Sequence, residues 1–142
     1  MIGIDPVTAY LGEKVDSHRT ADVRAVLERL AKFGEGSGIS ILAVTHPPKQ
    51  AQGKAINSFT GSLAFAAESR LCFITVEDTG FDRLLMLAVK NNIGGKADGI
   101  GYRFKPGTTS QGIEGCRIEW DQEPVIVSAN EALAEVASEP KR

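Results

Sequence analysis

Two short apolar runs constrain this chain more than any other feature. Ile2, Gly3 and Ile4 lead directly into Asp5, and the run ISILAV at 39–44 leads into Thr45 and His46. Between them, TADVRAVLERLAKF places Val23, Val26, Leu27, Leu30 and Phe33 at helical spacing, with Thr20 as the expected N-cap and Asp22 in the first turn. The glycine-rich GEGSG that follows is a helix exit. Strand, amphipathic helix, short turn, strand is a βαβ unit, and such a unit requires its two strands to be parallel. A compact apolar run bounded by polar residues further predicts strands buried on both faces.

Downstream the signals change. PPKQAQGKAINSFTG is a long polar connector, SLAFAAESR a short helix and LCFITVE a strand. EDTGFD is a turn, so the next run, RLLMLAVK, should return antiparallel to LCFITVE. GIGYRFKP and GCRIEWD read as further short strands, and Ser128 with Glu131 forms a capping box that opens a terminal helix. The expected architecture is therefore α/β: a mainly parallel sheet flanked by helices, with antiparallel strands toward the C-terminus, in one domain over residues 1–142.

With 16 basic and 18 acidic residues the chain is near neutral, which argues against a strongly basic nucleic-acid module but leaves room for a local basic patch. Cys72 and Cys116 have no partner at metal-ligand spacing, consistent with reduced thiols in a cytoplasmic protein. No apolar run approaches the roughly 20 residues of a membrane span.

Ligands of parallel α/β sheets bind beyond the carboxyl ends of the strands. Asp5, and then Thr45 with His46, are the polar residues expected there. Taken singly, an Asp before Pro also starts turns, and a His before Pro47-Pro48 also ends strands. Together they permit an acid–base pair, although no nucleophile or metal cluster accompanies them.

The ordered set is more specific. IGIDP, a helix, ILAVTHPPK, a polar loop, FTGSLAFAAESRLCFI and LAVKNNIGG together resemble the second half of a RecA/DnaB-superfamily ATPase core, closest to the RepA-like helicases, from about Ile2 to Phe104. The resemblance implies that Asp5 is the Walker B aspartate, which holds the water shell of Mg²⁺ beside the phosphates of ATP. It implies that His46 occupies the polar sensor position that feels the γ-phosphate. The loop after His46, carrying Lys49 and Lys54, would face single-stranded DNA, and the same lysines would suit an ordinary solvated loop. Arg70 resembles an arginine that reaches a neighbouring subunit's nucleotide, a task suited to a planar guanidinium. Lys90-Asn91-Asn92-Ile93-Gly94 resembles the lysine-asparagine-basic-aromatic-glycine interface motif, with Asn92 in place of the second base. Homo-oligomerisation is implied with it.

A phosphate loop, G-x-x-x-x-G-K-[ST], is missing from the sequence. Gly53-Lys54 is followed by Ala55 and has Pro48 at the first-glycine position; Gly95-Lys96 is followed by Ala97 and has Lys90 there. On the resemblance, the chain begins at the Walker B strand and is expected to be inactive alone, without tightly held ATP or Mg²⁺. The contrasting expectation is a non-catalytic α/β half-domain that oligomerises or binds a partner.

Overall fold

A computed structural model of the chain describes residues 1–12, 15–16, 19–46, 54–59, 63–95 and 97–138. It divides into two compact units, Met1–Arg70 and Leu71–Arg142.

The first unit contains the βαβ element. β1 (Ile2–Ile4) pairs in parallel with β2 (Ile41–Ala43), with Ile2 opposite Ile41 and Ile4 opposite Ala43. The linking helix α1 (Thr20–Ser37) follows the apolar spacing: Val23 is fully buried, and Val26, Leu27 and Leu30 are half-buried along the same stripe. Thr20 is the first helical residue, and Arg19 holds the N-cap position without a side-chain cap bond. At the other end α1 runs through Gly34 and Gly36 and stops only at Gly38, which takes the left-handed conformation (φ 65°). The Ile39 N–H then donates to the Gly34 carbonyl at 3.0 Å, closing a Schellman-type turn. A side chain at Gly34 would crowd the Ile39 carbonyl, so this position needs a glycine for close approach. Val7, Leu11, Val23, Ala64 and Phe65 form the core of the unit, with Ile4, Val15, Val26, Leu27 and Phe59 packed around it. Ala64 and Phe65 belong to α2 (Ala64–Glu68), and Arg24 on α1 donates to the Glu68 carboxylate at 2.7 Å.

The second unit is an antiparallel meander, β3 (Leu71–Glu77), β4 (Leu84–Asn91), β5 (Gly99–Thr108) and β6 (Glu114–Val125), in that order across the sheet. It is followed by α3 (Ala129–Ser138), which packs against β3 and β4. The Ser128–Glu131 capping box is formed reciprocally: the Ser128 N–H donates to the Glu131 carboxylate at 2.8 Å, and the Glu131 N–H to the Ser128 hydroxyl at 3.2 Å. Period-two alternation sorts the sheet into two faces. Cys72, Val76, Leu85 and Leu87 are buried on one face, as are Ala129 and Ala132 of α3. Gly99 and Gly101 fall on that same face, and their missing side chains matter. A Cβ on Gly99 would overlap Leu87 Cδ2, and one on Gly101 would overlap the Asp121 carboxylate.

The mainly parallel sheet expected from the sequence is not what forms. Among the described residues parallel pairing is confined to β1 and β2, and the larger sheet is antiparallel throughout. The connectors explain the difference. The connectors at 78–83, 92–98 and 109–113 are too short to carry a crossover helix, which parallel neighbours need. The expected burial of β1 and β2 on both faces is also corrected. Leu42 is 54% exposed and Ile2 39%, because among the described residues little besides α1 and the adjoining turn covers this two-stranded ribbon. GIGYRFKP and GCRIEWD prove to be parts of strands of ten and twelve residues rather than short ones.

Candidate functional site

The carboxyl ends of β1 and β2 bring Asp5 and His46 together. The parallel ladder continues past the strands: the Val44 N–H donates to the Ile4 carbonyl, and the Val7 N–H to the Val44 carbonyl, each at 2.8 Å. These bonds hold the backbone on both sides of Asp5 against the approach to His46. His46 Nε2 lies 4.0 Å from Asp5 Oδ1, with side chains 77% and 66% exposed respectively. That separation exceeds hydrogen-bonding reach. A polar contact so open to water contributes little to folding, so stability does not account for the placement. The place itself, beyond adjacent parallel strands, is where α/β proteins present groups to ligands.

Among the described residues no group of three or more His, Cys, Asp or Glu side chains converges as a metal site. Asp5 would give Mg²⁺ one protein oxygen out of the six or so ligands it takes.

Lys49 lies outside the described residues, as does most of its loop. Lys54 is exposed and precedes a short 3-10 turn, Ala55–Ser58, in which Ala55 and Ser58 are buried. Arg70 is exposed at the end of the first unit. Lys90 is half-buried on β4 opposite Cys72, at a bulge in the β3–β4 pairing. Beside it, the Asn91 amide organises the NNIGG turn: its oxygen accepts from the Ile93 and Gly94 N–H groups at 3.0 and 3.1 Å, and its nitrogen donates to the Gly95 carbonyl at 2.9 Å. This Asx-type turn gives Asn91 a structural role that the sequence already signals, since an Asn shortly before two glycines favours such a turn.

A second polar cluster has no counterpart in the sequence reading. Arg83 donates to Asp78 and to Asp121, each at 2.7 Å, while Arg103 pairs with the other oxygen of Asp121. The Arg83 guanidinium also lies 4.8 Å from the centre of the Phe81 ring. Its hydrogen bond from Arg83 holds the Asp121 carboxyl below the usual carboxylate range, and bonds to Asp121 and Asp78 raise Arg83 above its own. Two acids and two bases satisfy one another here, so the cluster closes on itself and fixes the turn at 78–83 against β5 and β6. Its members are up to 43 residues apart in sequence, between Asp78 and Asp121, so only the strand register reveals it.

Comparison of the chain with family models, with curated proteins and with solved structures yields no match.

Proposed function

We propose that this chain is the portion from Walker B onward of a RecA/RepA-like, DNA-dependent ATPase of helicase or recombinase type, acting in the cytoplasm. The observation that supports the reading is the meeting of Asp5 and His46 beyond the ends of adjacent parallel strands, both open to solvent. In that role Asp5 would hold the water shell of a Mg²⁺–nucleotide, the ion supplying charge stabilisation at the phosphates, and His46 would serve as the polar group toward the terminal phosphate. Lys49 and Lys54 contact the phosphates of single-stranded DNA. Arg70 and Lys90 act toward a neighbouring subunit, which makes the assembly a homo-oligomer. The phosphate-binding loop, absent from these 142 residues, must come from a further segment or chain.

The test is ATP hydrolysis with and without a phosphate-loop-bearing RecA-type segment joined ahead of Met1. The chain alone should show no turnover. The joined protein should hydrolyse ATP with stimulation by single-stranded DNA, and Asp5→Asn should lower kcat at least a hundredfold. Arg70→Ala should do the same while nucleotide still binds, since a cation aimed at the developing phosphate charge is worth about three orders of magnitude or more. Full activity in Asp5→Asn would overturn the assignment.

A non-catalytic role in oligomerisation is favoured by a different observation, the open apolar face of the second unit. Phe73, Ile100, Phe104, Ile118 and Trp120 share that face and are each 41–58% exposed.

A further inference from the structure

β6 is the terminal strand of its sheet, twelve residues long, and among the described residues nothing pairs along its outer side. Natural sheets usually protect such an edge with a proline, a bulge or a covering element. Here the proline (Pro124) and the irregularity in the β5–β6 pairing lie toward the C-terminal end of the strand. The stretch from Glu114 to Trp120 is left as a regular, exposed edge.

The charges along this edge are unbalanced in one specific way. Arg117 is directly opposite Lys105 of β5, a like-charge pairing that weakens a sheet. Lys105 is matched instead by Glu119. Arg117 makes no ion pair among the described residues. On the opposite face Cys116, Ile118 and Trp120 are exposed and carry no charge.

We infer that β6 pairs antiparallel with β6 of a second copy of this chain, about a two-fold axis at Ile118. In that register Arg117 of each copy lies opposite Glu119 of the other, so two symmetric ion pairs form and each Glu119 bridges Lys105 and the second copy's arginine. Ile118 meets Ile118, and Cys116 meets Trp120. Shifting the axis by one residue either way sets Arg117 against Arg117 or Glu119 against Glu119. Charge therefore selects both the partner and the register, and an isologous contact of this kind closes at two subunits. The result is an eight-stranded antiparallel sheet. The inference does not depend on the ATPase reading.

Sedimentation velocity on the full chain should show a concentration-dependent dimer. Arg117→Glu should weaken it at least tenfold by setting Glu against Glu119, while the fold is kept, because the new carboxylate faces Lys105 within its own chain. Adding Glu119→Arg should restore the dimer to within about threefold, as expected when both partners of a coupled pair are exchanged. Trp120→Cys should give a disulfide-linked dimer on mild oxidation, with peptide mapping showing position 120 joined to Cys116. Within one chain those positions lie about 13 Å apart along the strand, too far for a disulfide. A monomer up to about 100 µM would overturn the inference. So would a dimer that survives Arg117→Glu, or one that fails to form the 116–120 link.

Discussion

The packing of Leu87 against Gly99 makes a quantitative claim about the second unit. Leu87 is 1% exposed on β4, and a Cβ at Gly99 would occupy the space of its Cδ2. Leu87→Ala removes three carbons from a filled site and should cost about 3 kcal/mol, in the range for buried leucine truncations. Gly99→Ala alone forces Leu87 out of place in a core that cannot yield. It should cost about 2 kcal/mol by overpacking. If the sites were independent, the double variant would lose the sum, about 5 kcal/mol. Structure argues otherwise. Leu87→Ala deletes the atom that blocks the new methyl, and the next neighbours are the Val125 and Met86 carbonyl oxygens at 3.2 and 3.4 Å, which need give only a few tenths of an ångström. The methyl then refills part of the cavity. The double variant should therefore lose about 3 kcal/mol, a favourable coupling of about 2 kcal/mol, as found for residues in contact. Urea unfolding followed by far-ultraviolet circular dichroism gives all four stabilities by linear extrapolation. Additivity within about 0.5 kcal/mol would refute the packing argument, because it would mean that the two groups do not compete for one space.

Two further predictions concern polar contacts. Hydrogen bonding from Arg83 depresses the Asp121 carboxyl, so the unfolded chain binds this proton more readily than the folded one. The stabilisation is present above the ordinary carboxylate value of about 4 and lost as pH falls below it through the folded value. Urea titrations between pH 7 and pH 3 should show this loss, and Asp121→Asn should flatten that part of the profile; an unchanged acid slope would count against the network. At α3, Ser128→Ala removes one bond of the capping box and should cost about 1 kcal/mol in thermal or urea unfolding, whereas Ser128→Asp should be nearly neutral.

Local patterns determined much of this protein. The 3.6-residue spacing from Val23 to Leu30 specifies α1, because an amphipathic stripe of that period can be buried only by a helix. The Ser128–Glu131 capping box and the hairpin between β3 and β4 follow from contacts within a few residues, which is why they could be read directly. The βαβ order likewise brings Asp5 and His46 to neighbouring strand ends, since a helical connection makes its strands parallel. What spans many residues was not legible in the same way. That the larger sheet is antiparallel depends on how each short connector turns, and the lengths of β5 and β6 depend on mutual pairing that neither strand's composition reveals. Gly99 and Gly101 fall in a run already legible as a strand, but only the register shows Leu87 and Asp121 filling the space beside them. The Asp78–Arg83–Asp121–Arg103 network and the mismatch of Arg117 with Lys105 arise in the same way. Each is a cross-strand relation, and register is decided by tertiary pairing rather than by any one segment.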